Sequence, residues 1–173
     1  MKRSAERGFT LVEIMIVVAI IALLAAIAIP NVLRGRTTAN ESAAIGNLRA
    51  LVSSLEMFRS VNSAYPLTAN WVAGMYTPVP NFGPPSFNHV MDGTACPPSA
   101  TSSCTQGYKY TYVSAAGTTY TTLAVPDGVG TTGTRSFLAD SSGIIRHCTG
   151  TGVAVNMIAA PAPTIDAPVV ACT

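Results

Sequence analysis

Glu13 is the residue whose placement most demands a chemical role. From Phe9 to Leu33 only Thr10, Glu13, Pro30 and Asn31 interrupt an apolar run, and every residue from Ile14 to Ile29 is apolar. A carboxylate at the edge of such a stretch costs up to about 3 kcal/mol unless it reaches headgroups or meets a cation, so its first reading is functional. Phe9 stands four residues earlier and therefore on the same helix face. The chemistry available to Glu13 is charge neutralisation in a medium of low dielectric, not bond making or breaking.

Other reactive side chains are sparse. His89 and His147 are the only histidines, G-x-S-x-G is absent, and the carboxylates are scattered, so no nucleophile and base come together and the chain reads as a non-enzyme without a cofactor. Gly128-Val129-Gly130-Thr131-Thr132-Gly133 spells G-x-G-x-x-G, but it precedes a strand pattern instead of opening a helix, so a phosphate would meet no helix N-terminus. The expectation there is a flexible hairpin loop. Cys96, Cys104, Cys148 and Cys172 form an even set without any C-x-x-C, and His147 beside Cys148 lacks zinc spacing. Two disulfides are expected in place of a metal site. Three pairings are possible, and Cys96–Cys104 with Cys148–Cys172 close the shortest loops.

The elements that must position these groups begin with the apolar run. Its 25 residues would rise about 37 Å as a helix, against a hydrocarbon core of about 30 Å. Lys2, Arg3 and Arg7 against Glu6 supply the whole net charge of +2, leaving seven basic and seven acidic residues in a neutral body. That balance leaves nucleic-acid binding without electrostatic support. Arg34 and Arg36 at the far end make the charge rule a narrow guide to orientation. The cysteines decide it, because disulfides place the C-terminal half outside the cytoplasm. A cleaved secretory signal ending at Ala26-Ile27-Ala28 fits poorly, since the run exceeds an ordinary h-region and Glu13 would weaken insertion. A plain signal anchor explains the length and leaves Glu13 unexplained.

The segment Arg7-Gly8-Phe9-Thr10-Leu11-Val12-Glu13-Ile14-Met15 and its apolar continuation to Pro30 closely resembles the start of type IV prepilins and type II secretion pseudopilins. The likeness covers about the first 60 residues. It implies that a prepilin peptidase removes residues 1–8 by cutting between Gly8 and Phe9 on the cytoplasmic side and methylates the Phe9 amine. It implies an inner-membrane precursor, then a helical homopolymer built with a pilus assembly platform, in which the Phe9 amine of one copy meets Glu13 of another. Losing one partner of such a buried pair costs on the order of 3–5 kcal/mol, so pairing would set axial register. The leading expectation is a type IV pilin in an extracellular filament. The alternatives are a type II secretion pseudopilin and a non-assembling, signal-anchored binding module.

The expected fold is α+β, with a helix over 9–36 continuing into an amphipathic helix over 37–62, a loop over 63–106, and a sheet and tail over 107–173. Pro30 lacks an amide donor and predicts a kink or local melting. Ile45, Leu48, Leu51, Val52, Leu55 and Phe58 form the stripe that a sheet must cover. Asn62 to Pro66 ends the helix, and Tyr65-Pro66 resembles the pair found where pilin helices leave for their loop. A short helix is read near Asn70–Met75, with Trp71, Tyr76, Phe82 and Phe87 pinning the loop to the head. Three or four antiparallel strands are read at 108–112, 118–125, 135–139 and 144–148, the last two joined by a turn at Asp140–Gly143. Asp92, Asp127, Asp140 and Asp166 read as turn residues, although some pseudopilins hold calcium with such groups. Asn40-Glu41-Ser42 reads as a chance glycosylation triplet within a helix.

Overall fold

Helix α1 occupies Leu11–Asn62 because two different periodicities favour the same conformation in succession. The first part is apolar on all sides, and the second carries a stripe at heptad-like spacing. The computed structural model describes residues 9–89, 91 and 104–149. Two compact units make up the chain, Met1–Arg36 and Thr37–Thr173.

Within the first unit α1 is the only described element. Its large apolar side chains from Leu11 to Leu33 are 48–74% exposed, so this segment has no cover of its own. α1 is the one helix among the described residues long and apolar enough to cross a membrane, by length and composition. The helix is unbroken through Pro30, so the melting expected there is absent from the single chain. The Asn31 side chain donates to the Ile27 carbonyl at 3.0 Å, next to the place where Pro30 has no amide to offer.

In the second unit α1 packs against a five-stranded antiparallel sheet in the order β1-β2-β3-β4-β5. The strands are β1 Cys104–Thr105, β2 Tyr108–Val113, β3 Thr121–Pro126, β4 Arg135–Asp140 and β5 Ile145–Thr149. β1 exceeds the expected number because two residues are too short to show alternation. On β2 the alternating tyrosines Tyr108, Tyr110 and Tyr112 are all buried and join Ala44, Leu48, Leu51, Leu55, Phe58 and Phe137 in one core cluster. Burying each leucine contributes about 1.5–3 kcal/mol. Ile45 and Val52, expected within the stripe, are only partly buried at its margin. The true seam runs Glu41, Ala44, Leu48, Leu51, Leu55 and Phe58, in alternating steps of three and four.

The connection after α1 is ordered by its aromatic side chains. α2, Trp71–Tyr76, lies close to the expected helix and is flanked by 3₁₀ turns at Thr68–Asn70 and Pro85–Phe87. Trp71 donates its indole N–H to the Phe87 carbonyl at 2.9 Å, and the Tyr76 hydroxyl donates to the Pro84 carbonyl at 2.8 Å. Trp71 and Phe87 are buried, while Tyr76 and Phe82 pack on the core margin. The four aromatics pin the loop as expected. Tyr65 is tied by its N–H to the Gly117 carbonyl at 2.7 Å, and its hydroxyl lies between the Glu56 carboxylate at 2.6 Å and Arg59 at 3.0 Å. The Asp140–Gly143 turn also forms, with Gly143 at φ +75° and its N–H on the Asp140 carbonyl at 2.9 Å.

The end of α1 carries a strained cap. Ser63 donates its N–H to the Arg59 carbonyl at 2.8 Å with φ +58°, the left-handed conformation that suits glycine. Ser63→Gly is expected to stabilise the head by about 1 kcal/mol, read as a higher denaturation midpoint of the full chain in detergent. An unchanged or lower midpoint would show that the serine conformation carries no strain.

Candidate assembly site

At the start of α1 the chain forms a reciprocal cap. Glu13 donates its N–H to Thr10 Oγ1 at 3.2 Å, and Thr10 donates its N–H to Glu13 Oε2 at the long distance of 3.5 Å. Thr10 is thus the N-cap and Glu13 the third helical residue, the arrangement of a capping box. The carboxylate sits where the helix dipole favours negative charge, and it stays exposed. Phe9 is 81% exposed. Phe9 and Glu13 are therefore both accessible at one helix end, while Gly8 lies outside the described residues. The spacing Thr10-x-x-Glu13 before an apolar run is the signature of this cap in the sequence.

A second acid, Glu41, organises the head from within. Its seam position turns the carboxylate into the interface between α1 and the start of β4, with only 7% of the side chain exposed. Oε1 accepts from the Thr134 N–H at 2.8 Å, the Thr134 hydroxyl at 2.7 Å and the Arg135 N–H at 3.3 Å. Oε2 accepts from Arg135 Nε at 2.8 Å and Nη2 at 2.7 Å. Burial pushes the Glu41 pKa up, but hydrogen bonds from Thr134 and the Arg135 guanidinium outweigh it, and the net shift is downward. Such a group stabilises the fold above the ordinary carboxylate range.

Neighbouring polar contacts extend the clamp. Asn40 donates to the Thr132 carbonyl at 2.9 Å, and Asn47 donates to Gln106 Oε1 at 2.9 Å and to the Tyr110 hydroxyl at 3.0 Å. Asn40 is half-buried, with its amide engaged and Glu41 buried beside it. Asn40 holds the G-x-G-x-x-G loop at Thr132, and the loop carries hydrogen bonds of its own. Gly130 bonds Gly133 at 2.8 Å, and the N–H groups of Thr131 and Thr132 converge on the Gly128 carbonyl. A Cβ on Gly133 would lie 2.1 Å from the Tyr108 hydroxyl, so close packing accounts for that glycine. β4 follows the loop, as the sequence order required.

Two of the four acids weighed as calcium ligands, Asp127 and Asp140, are described, and both have partners. Asp127 pairs with Lys109 at 3.5 Å, and Asp140 accepts from Arg146 at 2.6 Å and from the Ser142 N–H and hydroxyl. Among the described residues no group of His, Cys, Asp and Glu could hold a metal. Asp92, Asp166, Cys96 and Cys172 lie outside those residues. Cys104 and Cys148 are disulfide-bonded, so Cys148 offers no thiolate beside His147.

Comparison with known proteins places the likeness at the N-terminus. The family described as the prokaryotic N-terminal methylation motif matches residues 3–29. The chain is similar to type II secretion system core protein G of Klebsiella michiganensis, 34% identical over 93 residues, which cover 54% of this chain and 65% of that protein. The protein of the same name from Dickeya chrysanthemi is 36% identical over 88 residues, 51% of this chain and 57% of that one. The Pseudomonas aeruginosa counterpart is 41% identical over 68 residues, 39% and 48% respectively. The chain thus spans between about half and two thirds of the length of these relatives. No solved structure matches.

Proposed function

For a chain that belongs to the type IV pilin and type II secretion pseudopilin family, we propose the role of a pseudopilin, a structural subunit of a type II secretion fibre. The observation that carries this reading is the methylation motif leading directly into a helix whose apolar side chains are uncovered. In water such a surface would aggregate; in a bilayer it is solvated, and in a fibre it is covered by other copies. The named relatives favour secretion over the type IV filament of the leading expectation. Disulfide bonds at Cys104 and Cys148 favour the pilin, since a stapled C-terminal region resembles that branch, and this stands as the second reading.

In this proposal a prepilin peptidase removes residues 1–8, segment 9–36 anchors the precursor in the inner membrane and later forms the fibre core, and 37–173 is the head outside the cytoplasm. The Phe9 amine of one copy pairs with Glu13 of another. Pro30 is the point at which the helix bends or opens once packed among neighbours. The pairings Cys96–Cys104 and Cys148–Cys172 close the head.

Mass spectrometry of the processed protein tests the class. The expected mature chain begins at Phe9 and carries one added methyl group; a chain beginning at Ile29 would restore the secreted, anchorless reading. Deleting the gene then separates the branches. A pseudopilin's loss leaves exported proteins trapped in the periplasm with surface filaments intact, whereas loss of filaments alone would favour the pilin.

A further inference from the structure

Four buried aromatic side chains form a continuous run through the head. The Trp71 ring centre lies 4.5 Å from that of Tyr112, Tyr112 stacks on Tyr120 at 6.1 Å, and Tyr120 meets Tyr65 edge-on at 4.7 Å. Trp71 belongs to α2 and Tyr112 to β2, while Tyr120 stands just before β3 and Tyr65 follows α1. All four are no more than 2% exposed. Half-buried Tyr76, 6.3 Å from Trp71, connects that end of the run to the surface. Rings at these separations pack a core. They also bring neighbouring π-systems close enough for an electron to pass from one to the next.

The polar groups of these rings show what packing alone leaves unexplained. Tyr120 is buried, and among the described residues its hydroxyl has no hydrogen-bond partner. Phenylalanine would fill the same space without that desolvation cost, but phenylalanine resists oxidation and tyrosine does not. The rings also differ in what can receive a proton. Trp71 donates its indole N–H to the Phe87 carbonyl at 2.9 Å and the Tyr112 hydroxyl donates to the Pro66 carbonyl at 2.7 Å, and amide carbonyls are too weakly basic to take either proton. Among the described residues, Tyr65 is the one member of the run that donates to a carboxylate, Glu56 Oε1 at 2.6 Å, within reach for proton transfer. Glu56 is exposed, so water accommodates a change in its charge. Arg59 Nη1 donates to the same hydroxyl at 3.0 Å, and its guanidinium carbon lies 5.0 Å from the ring centre. A cation there opposes positive charge on the ring, so Tyr65 would lose its electron together with its proton.

We propose that the head holds a one-electron oxidation path from Trp71 through Tyr112 and Tyr120 to Tyr65, with Glu56 as the proton acceptor. An oxidant of the oxygen-radical class takes one electron from Trp71 and is itself reduced by one electron. The indole radical cation recovers an electron from Tyr112, Tyr112 from Tyr120, and Tyr120 from Tyr65. The O–H bond of Tyr65 breaks as its proton moves to Glu56, leaving a neutral phenoxyl radical and a carboxylic acid. An oxidised phenol is a far stronger acid than an oxidised indole, so the transfer runs downhill where a base takes the phenol's proton, and in this run that place is Tyr65. Oxidative damage is thereby moved from the buried tryptophan to a ring whose hydroxyl meets exposed side chains. Nothing in this path requires assembly.

Laser photoionisation of Trp71, the chain's only tryptophan, tests the path in the full chain in detergent with an electron scavenger present. The indolyl radical absorption is expected to pass into phenoxyl absorption at a rate independent of protein concentration. Tyr120→Phe removes only an unpartnered hydroxyl, so its denaturation midpoint is expected to hold while the phenoxyl yield falls several-fold and the indolyl radical lives several-fold longer. Tyr65→Phe is expected to lower the yield equally. Glu56→Gln, at an exposed position, keeps an acceptor but no base; phenoxyl formation is expected to slow several-fold with circular dichroism unchanged. Decay of the indolyl radical without phenoxyl in the natural chain overturns the proposal. So does an undiminished yield in either tyrosine variant or an undiminished rate in Glu56→Gln, because rings that serve packing alone would leave these signals unmoved.

Discussion

Glu13→Ala is expected to abolish fibre assembly while leaving the head as stable as in the natural chain. The substitution removes the one acid in the apolar segment and lies in the unit Met1–Arg36, apart from the head core. In the assembled state it would leave each neighbour's Phe9 amine without a counter-charge, a loss on the order of 3–5 kcal/mol per contact. That equals about a hundred- to several-thousand-fold in subunit affinity. Part of any effect could arise from the capping box, because Glu13 also accepts from the Thr10 N–H.

Two controls separate these contributions. Glu13→Gln keeps an acceptor for the Thr10 N–H but no charge, and it is expected to fail in assembly as Glu13→Ala does. Thr10→Val removes the hydroxyl that accepts from the Glu13 N–H and keeps the carboxylate. It is expected to weaken the cap by about 1 kcal/mol and to reduce assembly only in part. The readout is sheared or chemically cross-linked fibre, quantified against membrane-retained subunit. Normal fibres from Glu13→Ala as the sole copy would remove the pairing from the proposed function.

The second large effect concerns Glu41. Glu41→Ala is expected to destabilise the head by about 3 kcal/mol, near the low end for a broken buried pair, because the Arg135 side chain is 38% exposed and can rehydrate. The Thr134 N–H and hydroxyl would lose their acceptor in the α1–β4 interface. Glu41→Gln keeps an acceptor oxygen but loses the charge-assisted bonds from Arg135, and an intermediate loss is expected. Denaturant midpoints of the full chain in detergent measure both; a loss below about 1 kcal/mol for the alanine variant would show that the clamp contributes no more than a surface pair.

The same group gives the head a pH dependence with a definite sign. The folded-state pKa of Glu41 is lowered, so its contribution is fully present above the unfolded carboxylate value of about 4.3 and is lost as pH falls through the folded value. Asp140, held down through Ser142 and Arg146 against the opposing effect of burial, acts in the same direction. The natural chain should therefore lose stability steeply on acidification below about pH 4.5, and Glu41→Gln should flatten that fall. An identical slope in the variant would assign the acid sensitivity elsewhere.

Periodicity and composition were sufficient for the elements. A 3.6-residue stripe ending before Tyr65-Pro66, alternating tyrosines at 108, 110 and 112, and turn residues at Asp140–Gly143 each express a local preference, and each stands close to where it was read. The candidate site was equally legible, because a lone acid four residues after Phe9 in an apolar run needs no tertiary context to be conspicuous. What only the tertiary structure decided depends on residues far apart in the chain. Glu41 carries no sequence signal for its role, because Thr134 and Arg135, which bind it, lie 93 and 94 residues away. The strand pattern after the glycines at 128–133 already argued against a phosphate loop, but that Gly133 packs on Tyr108 and Asn40 bonds Thr132 appears only in the fold. The physical reason is the same in both cases: periodicity shows which way a side chain faces, whereas the partner that satisfies a buried charge or fills the space beside a glycine is brought there by folding.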